Sequence, residues 1–300
     1  MVIFSCLIFG MAASAQAQKL IEKEFEKFST VNVQDKFVVR LIKSDKFAVR
    51  INVDERIAAH VQAYEKNGTL YLVLNEKGYT KELKKELKKK GAAQPTLEAM
   101  VYMPKVNSLI FTDDVVVAYS DEIRSENFTL TASDDVKVQH LRVACSTAEM
   151  NVSRSAEISA EMKVASRLYM ETANSSKVSI VQNGGNAFIK QAGSSFVDLK
   201  GTVQAVDITA SSSSESRISG KSSMLTVNSS GYSKTDAELL DVFEGLITMT
   251  GSSKCYVNVS DKMKVNLTSG AMLTFKRSPA IEVDRIVNST LIKADDPKRK

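Results

Sequence analysis

A short alternating pattern recurs along the chain from about residue 128, and it constrains the fold more than any other feature of the sequence. Each copy has an apolar, a polar and an apolar residue, then a turn, and then a second such triplet, as in Phe128-Thr129-Leu130 and Val136-Lys137-Val138. Successive copies follow one another at near-even steps of about 18 to 22 residues, a period typical of solenoid proteins. Their marker residues are Leu130, Met150, Met170, Ile189, Ile208, Val227, Met249 and Leu267.

The alternation predicts β-strands, because successive side chains of a strand point to opposite faces of a sheet. Strands this short are not stable as an isolated sheet, so the copies have to stack on one another. The sequence therefore predicts an all-β fold, a parallel β-helix (solenoid) with coils of about 19–22 residues. An antiparallel β-sandwich is the alternative, but it does not predict turn residues that recur at one phase. Such turns do recur, as in Ala192-Gly193-Ser194-Ser195 and Thr250-Gly251-Ser252-Ser253.

Composition divides the chain into four segments. Residues 1–17 contain an apolar stretch and then small residues with A-x-A cleavage sites, which predicts a signal peptide. Residues 18–127 predict a less regular N-terminal part of the β-helix, with a lysine-rich insertion near residues 80–91 that favours a short exposed helix. Residues 128–292 hold the regular repeats, and the charged tail 293–300 is predicted to be disordered.

The predicted signal peptide indicates an exported protein, located in the periplasm, at the cell surface or in the medium. Polar residues follow the apolar stretch directly, so no integral membrane segment is expected in the mature chain. The formal net charge is +5, and the lysine-rich insertion contributes much of the excess. A nucleic-acid partner is not expected, because basic residues are not clustered with stacking aromatics on a recognition element.

The residues that usually carry chemistry are sparse. Two histidines, His60 and His140, lack partners at metal-ligand spacing. Cys145 and Cys255 belong to coils that are not neighbours, which in a stack separates them by roughly 25 Å, too far for a disulfide. A polysaccharide-cleaving enzyme would need acids placed in a groove walled by loops, and neither long loops nor any Trp is present. The sequence therefore predicts no enzymatic activity and no cofactor apart from the calcium discussed next.

Two pairs of aspartates form one candidate metal site. Asp113 and Asp114 precede Asp134 and Asp135 by the length of one coil, so the pairs are expected on adjacent coils. Four carboxylates this close repel one another unless a cation or protons intervene, and Ca²⁺ prefers such oxygen ligands. The competing interpretation is that the aspartates turn into water or cap turns.

Several stretches resemble the auto-transporter adhesin head domain, also called the GIN domain, a former domain of unknown function found in exported bacterial proteins. The resemblance covers nearly the whole mature chain and depends on the order and spacing of structural segments. These are Val33–Leu41, Val53-Asp54-Glu55, Asn67-Gly68-Thr69-Leu70, Met103–Leu109 and Ser278-Pro279-Ala280-Ile281. The resemblance implies a right-handed parallel β-helix and an extracytoplasmic location, with adhesion proposed and no established ligand. The lysine-rich insertion departs from the family pattern.

These observations favour a noncatalytic extracytoplasmic binding or adhesion module whose partner is a glycan or a protein at the cell envelope. A polysaccharide-active β-helix enzyme is one alternative. A structural envelope protein that self-associates as a homo-oligomer is another, because uncapped coil ends behave as sheet edges.

Overall fold

The structure is a computed structural model that describes residues 17–294. The predicted signal peptide, except for Ala17, and the tail beyond residue 294 lie outside the described residues. Strands account for most of the described chain. In order they are β1 Gln18–Phe25, β2 Thr30–Gln34, β3 Val38–Lys43, β4 Phe47–Asp54, β5 Val61–Lys66, β6 Thr69–Leu74, β7 Leu97–Met103, β8 Ser108–Thr112, β9 Val116–Ser120, β10 Ile123–Ser133, β11 Lys137–Ser153, β12 Glu157–Thr172, β13 Lys177–Asn183, β14 Asn186–Gln191, β15 Phe196–Thr202, β16 Ala205–Ala210, β17 Glu215–Ser229, β18 Lys234–Met249, β19 Lys254–Thr268, β20 Met272–Lys276, β21 Ala280–Val287 and β22 Thr290–Lys293.

The strands stack as a parallel β-solenoid of about nine coils. Each coil lays its strands in register on the previous coil, so that β13 pairs with β15 and β14 pairs with β16, all parallel. The β-solenoid prediction is therefore confirmed, and the antiparallel sandwich is wrong. The six marker residues from Leu130 to Val227 are direct partners in a single column of the interior.

The register differs from the sequence prediction at one place. Val227 pairs with Ile247 and not with Met249, which lies above Ser229. The coil that starts at Val227 therefore closes at Ile247, and the following coil runs from Ile247 to Val265. The period-2 alternation does not distinguish Ile247 from Met249, because both side chains point into the core.

Antiparallel strands cover the N-terminal end of the solenoid. β5 and β6 form a hairpin, β4 pairs antiparallel with β7, and β1 pairs antiparallel with β4. A 3-10 helix spans Ala58–His60 before β5 begins. A second 3-10 helix spans Glu76–Gly78.

The lysine-rich segment forms the helix α1, Lys81–Leu87. The Thr80 hydroxyl caps it by accepting a hydrogen bond from the backbone N–H of Leu83, at 3.2 Å. Leu83 and Leu87 lie one turn apart and pack against the core of the solenoid. Across residues 17–294, no helix has the length and apolar character needed to cross a membrane.

The tight turns of successive coils stack at one corner of the solenoid. Left-handed backbone conformations recur there, at Asp134, Arg154, Asn174, Gly193 and Ser212. Buried Val136 and Ala156 follow the first two of these turns, whereas buried serines follow the turns from Asn174 onward: Ser176, Ser195, Ser214, Ser233 and Ser253. The Ser214 and Ser253 hydroxyls donate to turn carbonyls at 2.9 and 3.0 Å, as expected for side chains that satisfy a corner.

Candidate functional site

The four predicted aspartates lie in two stacked turns of this corner. Asp113 and Asp114 link β8 to β9, and Asp134 and Asp135 link β10 to β11. Because β8 pairs with β10 and β9 pairs with β11, the turns occupy adjacent coils, as the sequence predicted. Asp113, Asp114 and Asp134 have positive φ angles, between 59° and 69°, which Asp tolerates better than most residues.

An arginine occupies part of the predicted metal site. Arg154, in the turn of the next coil, contacts the Asp134 carboxylate, and this hydrogen bond lowers the pKa of Asp134 below its usual value. Within residues 17–294, no three His, Cys, Asp or Glu side chains are grouped so that they could hold a metal. Calcium binding stays a prediction, tested by thermal unfolding with calcium and with a chelator; an unchanged midpoint would contradict it.

His60 and both cysteines are held in structural positions, whereas His140 is exposed on β11. The His60 ring packs edge-on against Tyr79, with ring centroids 4.9 Å apart. Cys145 and Cys255 are both free and buried. Burial raises the pKa of the Cys145 thiol to about 11 and raises that of Cys255 as well, so neither is a thiolate at neutral pH. These residues therefore give no activated nucleophile.

The most irregular part of the solenoid is a bulge in β18. Ala237 pairs with Val257 and Val242 pairs with Val259, so the segment of β18 between them is longer than the segment of β19 that it faces. Within the bulge Leu240 is buried and Leu239 is 71% exposed, and Phe243, just after the bulge, is 54% exposed. Leu239 and Phe243 thus give this stretch of β18 two large exposed apolar side chains, and exposed apolar patches, more than single residues, mark binding surfaces.

The bulge forms one wall of an open groove of about 370 Å³, which we call the bulge groove. The groove lies beside a bend in the coils that follows Gly201 and Gly220, and its lining, from Thr202 and Lys221 to Arg277, crosses several stacked coils. Its lining includes hydroxyls, two cations, one carboxylate and one aromatic ring, supplied by Thr202, Lys221, Ser223, Asp241, Phe243, Ser260 and Arg277. Because the groove is open along its length, a ligand would lie along it and stay partly exposed to solvent.

Two stacked glycines lie at the bend beside this groove. Gly201 and Gly220 have φ angles of 139° and 119°, which other residues adopt only with strain. A Cβ on Gly220 would also clash with the backbone carbonyl of Gly201 in the preceding coil. The close backbone approach keeps the bend narrow, and the side chains that follow, Thr202 and Lys221, line the groove.

Some polar groups of the groove are fixed by the protein and others are open to a ligand. Asp241 accepts from Arg277 and, at 3.1 Å, from the Asn258 amide. The Ser260 hydroxyl donates to the backbone carbonyl of Val242 at 3.0 Å. Among the described residues, no ion pair engages Lys221. A cation, an exposed ring and a fixed carboxylate therefore face the same opening.

Sequence reasoning missed the bulge groove, although a signal was present. The repeat containing Leu225-Thr226-Val227 has a degenerate second half, and the marker steps on either side of Met249 are the longest and the shortest of the series. The departure from alternation at Leu239-Leu240 is the bulge itself. A break in an otherwise regular repeat marks the position of the bulge, but the cavity depends on neighbouring coils and cannot be predicted from the break alone.

Comparisons with known proteins agree with this architecture. The family model described as "Putative auto-transporter adhesin, head GIN domain" matches residues 27–180 and 161–279. A solved putative adhesin from Parabacteroides merdae is 14% identical, with a TM-score of 0.50 over 93% of this chain and 96% of that chain. This likeness concerns the fold alone.

Two further solved structures align with lower scores. A putative adhesin from Parabacteroides distasonis is 13% identical, with a TM-score of 0.46 over 93% of this chain and 98% of its own. A "putative lipid binding protein" from the same organism is 14% identical, with a TM-score of 0.40 over 93% and 97%. A search of curated proteins finds no match.

Proposed function

Because the chain belongs to the auto-transporter adhesin head GIN domain family, we propose that it is a noncatalytic, extracytoplasmic binding module that holds a glycan in the bulge groove. Membership of an adhesin family supports binding to an external partner. The exposed ring of Phe243 beside the groove is the single observation that carries the choice of surface.

The chemistry of the groove favours a glycan over an apolar partner. The apolar C–H face of a sugar ring packs well on an aromatic ring such as that of Phe243, while its hydroxyls need hydrogen-bond partners. Lys221, Thr202 and Ser223 lie close enough to line the same opening. The groove crosses stacked coils, so an extended oligosaccharide can contact several of them.

The arrangement of acids supports binding without cleavage. Most glycosidases use two carboxyl groups placed on either side of the scissile bond. Asp241 is the one carboxylate among the described residues that line the bulge groove, and Arg277 and Asn258 both bind it. One carboxylate whose oxygens already accept these hydrogen bonds does not supply the pair of acids that cleavage needs.

The test is glycan binding by the purified chain from residue 18, compared with a Phe243→Ala variant. We expect loss of the exposed ring to weaken binding by about tenfold or more, as for other aromatic anchors. Tyr232→Ala is the matched control, since Tyr232 is 76% exposed at the turn corner, away from the groove. Equal binding by both variants, or capture of a protein partner but no glycan, would contradict the proposal. Release of cleaved glycan would contradict the absence of catalysis.

We propose self-association as a second function, on a different observation. At the C-terminal end, the inward-facing Ile281, Val283 and Ile286 of β21 are 37–52% exposed, and among the described residues no strand covers them. Because antiparallel strands close the N-terminal end, two copies would meet through their C-terminal ends in a symmetric dimer.

A further inference from the structure

A second cavity lies beneath the helix α1, at the end of the molecule far from β21. The chain from α1 to Pro95 forms its roof, and the ends of β6 and β7 form its floor. Its volume is about 760 Å³, roughly twice that of the bulge groove. We refer to it as the helix cavity.

The floor of the helix cavity is apolar. Ile57, Leu74 and Leu97 line it from the solenoid, and Leu87 lines it from the helix. The first three are buried side chains of the core itself. A ligand with a hydrocarbon segment would therefore continue the core and would replace water there.

The rim of the helix cavity is cationic. Lys84, Lys88 and Lys89 line it from α1 and the turn that follows, and the described residues provide no ion pair for any of the three. On the opposite side, Lys36 pairs with Glu76 at 2.7 Å, so that carboxylate is already neutralised. The uncompensated charge of the lining is positive and selects an anionic group.

A buried hydroxyl without a partner lies in the same wall. Tyr79 is 8% exposed and lines the helix cavity, and its hydroxyl finds no hydrogen-bond partner among the described residues. Burial, with the nearby carboxylates of Glu76, Asp35 and Asp54, raises the pKa of Tyr79 to about 12, so the hydroxyl stays protonated at neutral pH. Buried hydroxyls are normally satisfied, and a ligand oxygen would satisfy this one.

The roof of the cavity is held in place. Arg56 bridges from Asp54, at 2.6 Å, to Glu86 on α1, at 2.8 Å. Leu83 packs against the core on the same helix face as Leu87. The cavity is therefore a feature of the folded chain and not a gap under a loose segment.

We propose that the helix cavity binds a single-chain anionic amphiphile, with its hydrocarbon chain on the apolar floor and its carboxylate at the lysine rim. The cationic rim alone would suit any polyanion, whereas the apolar floor requires a hydrocarbon segment. This site is separate from the bulge groove. The amphiphile proposal can therefore be tested independently of the glycan proposal.

The test is calorimetric titration of the intact mature chain with dodecanoate and tetradecanoate below their micelle concentrations. We expect affinity to rise about fourfold for each added CH₂ group while the chain still fits. The matching alcohol, which lacks the charge, should bind at least tenfold more weakly. A Phe243→Ala variant should bind dodecanoate as the unaltered chain does, which separates this test from that of the groove.

Variants locate the site. The triple change Lys84→Gln, Lys88→Gln and Lys89→Gln should weaken dodecanoate binding at least tenfold, and Tyr79→Phe should weaken it severalfold. The matched control replaces Lys27, Lys66 and Lys105, which are exposed elsewhere, by Gln. Equal binding by the two triple variants, or by carboxylate and alcohol, would overturn the proposal. Binding to anionic vesicles without binding of monomeric carboxylate would also overturn it, because the lysines would then be a membrane-contact surface.

Discussion

At the residue scale, the solenoid depends on positions where the backbone leaves the extended conformation. The corner turns use mainly Asp, Asn and Gly, which reach the left-handed region at least cost, together with Arg154 and Ser212. These residue types were visible in the sequence as recurring turns. The bend at Gly201 and Gly220 was not visible in the sequence. Its requirement for glycine comes from a backbone carbonyl of the neighbouring coil and not from the local sequence.

Replacement of Gly220 by Ala should destabilise the fold strongly. The φ of 119° strains any other residue, and the new Cβ would clash with the Gly201 carbonyl, so we expect a cost of about 3 kcal/mol or more. Gly68→Ala is the control, since Gly68 also has a positive φ but open space around it, and it should cost about 1 kcal/mol. Urea unfolding measures both. Equal costs would show that the stacked contact at the bend contributes little.

At the element scale, the helix α1 is tied to the solenoid through Arg56, which forms one ion pair with the buried Asp54 and a second, partly exposed one with Glu86 on the helix. The carboxylate of Asp54 is nearly inaccessible, while Arg56 is 25% exposed and reaches Glu86. The hydrogen bond from Arg56 lowers the pKa of Asp54. A lowered carboxyl pKa stabilises the fold above the unfolded-state pKa of about 3.9, and this contribution is lost as the pH falls through the folded-state pKa.

Replacement of Arg56 by Ala should therefore cost about 3 kcal/mol at pH 7, because the buried Asp54 loses a charged partner. The penalty should shrink as the pH falls from 4 toward 2, where Asp54 becomes protonated in the unaltered protein too. Arg50→Ala is the control: Arg50 pairs with Glu22 at 2.6 Å, but both side chains are about half exposed, so its cost should stay below about 1 kcal/mol. Urea unfolding across this pH range gives both costs. A pH-independent penalty for Arg56→Ala would contradict the ion-pair assignment.

The elements differ in how far the sequence predicted them. Regular coils were predictable, because each strand repeats the alternation of the strand it stacks on. The antiparallel pairing of β4 with β7 was not predictable, because apolar and polar residues alternate in the same way in parallel and antiparallel strands. The bulge of β18 was not predicted for a related reason: it arises because the β18 segment from Ala237 to Val242 faces a shorter β19 segment, from Val257 to Val259.

At the scale of the whole molecule, the two ends of the solenoid differ. The N-terminal end is covered by the hairpin β5–β6 and by β4 and β1, whereas β21 and β22 leave strand edges and core side chains exposed. Exposed edges of this kind recruit further strands unless they are blocked. The family match extends to residue 279, just before β21.

Val283→Lys should abolish the dimer proposed above, because it places a charge where the two ends would meet. Analytical ultracentrifugation at micromolar concentrations should show a dimer for the unaltered chain and a monomer for this variant. Leu20→Lys is the control, as Leu20 is 56% exposed on β1 at the other end. A monomeric unaltered chain would contradict self-association through the C-terminal end.

The most direct test of the central proposal is a crystal structure of the chain with an oligosaccharide selected by glycan binding. We predict an intact ligand in the bulge groove, with a sugar ring packed on Phe243 and its hydroxyls bonded to Lys221 and Ser223. A ligand bound on another face, or one cleaved in the groove, would contradict the assignment of this chain as a noncatalytic glycan-binding module.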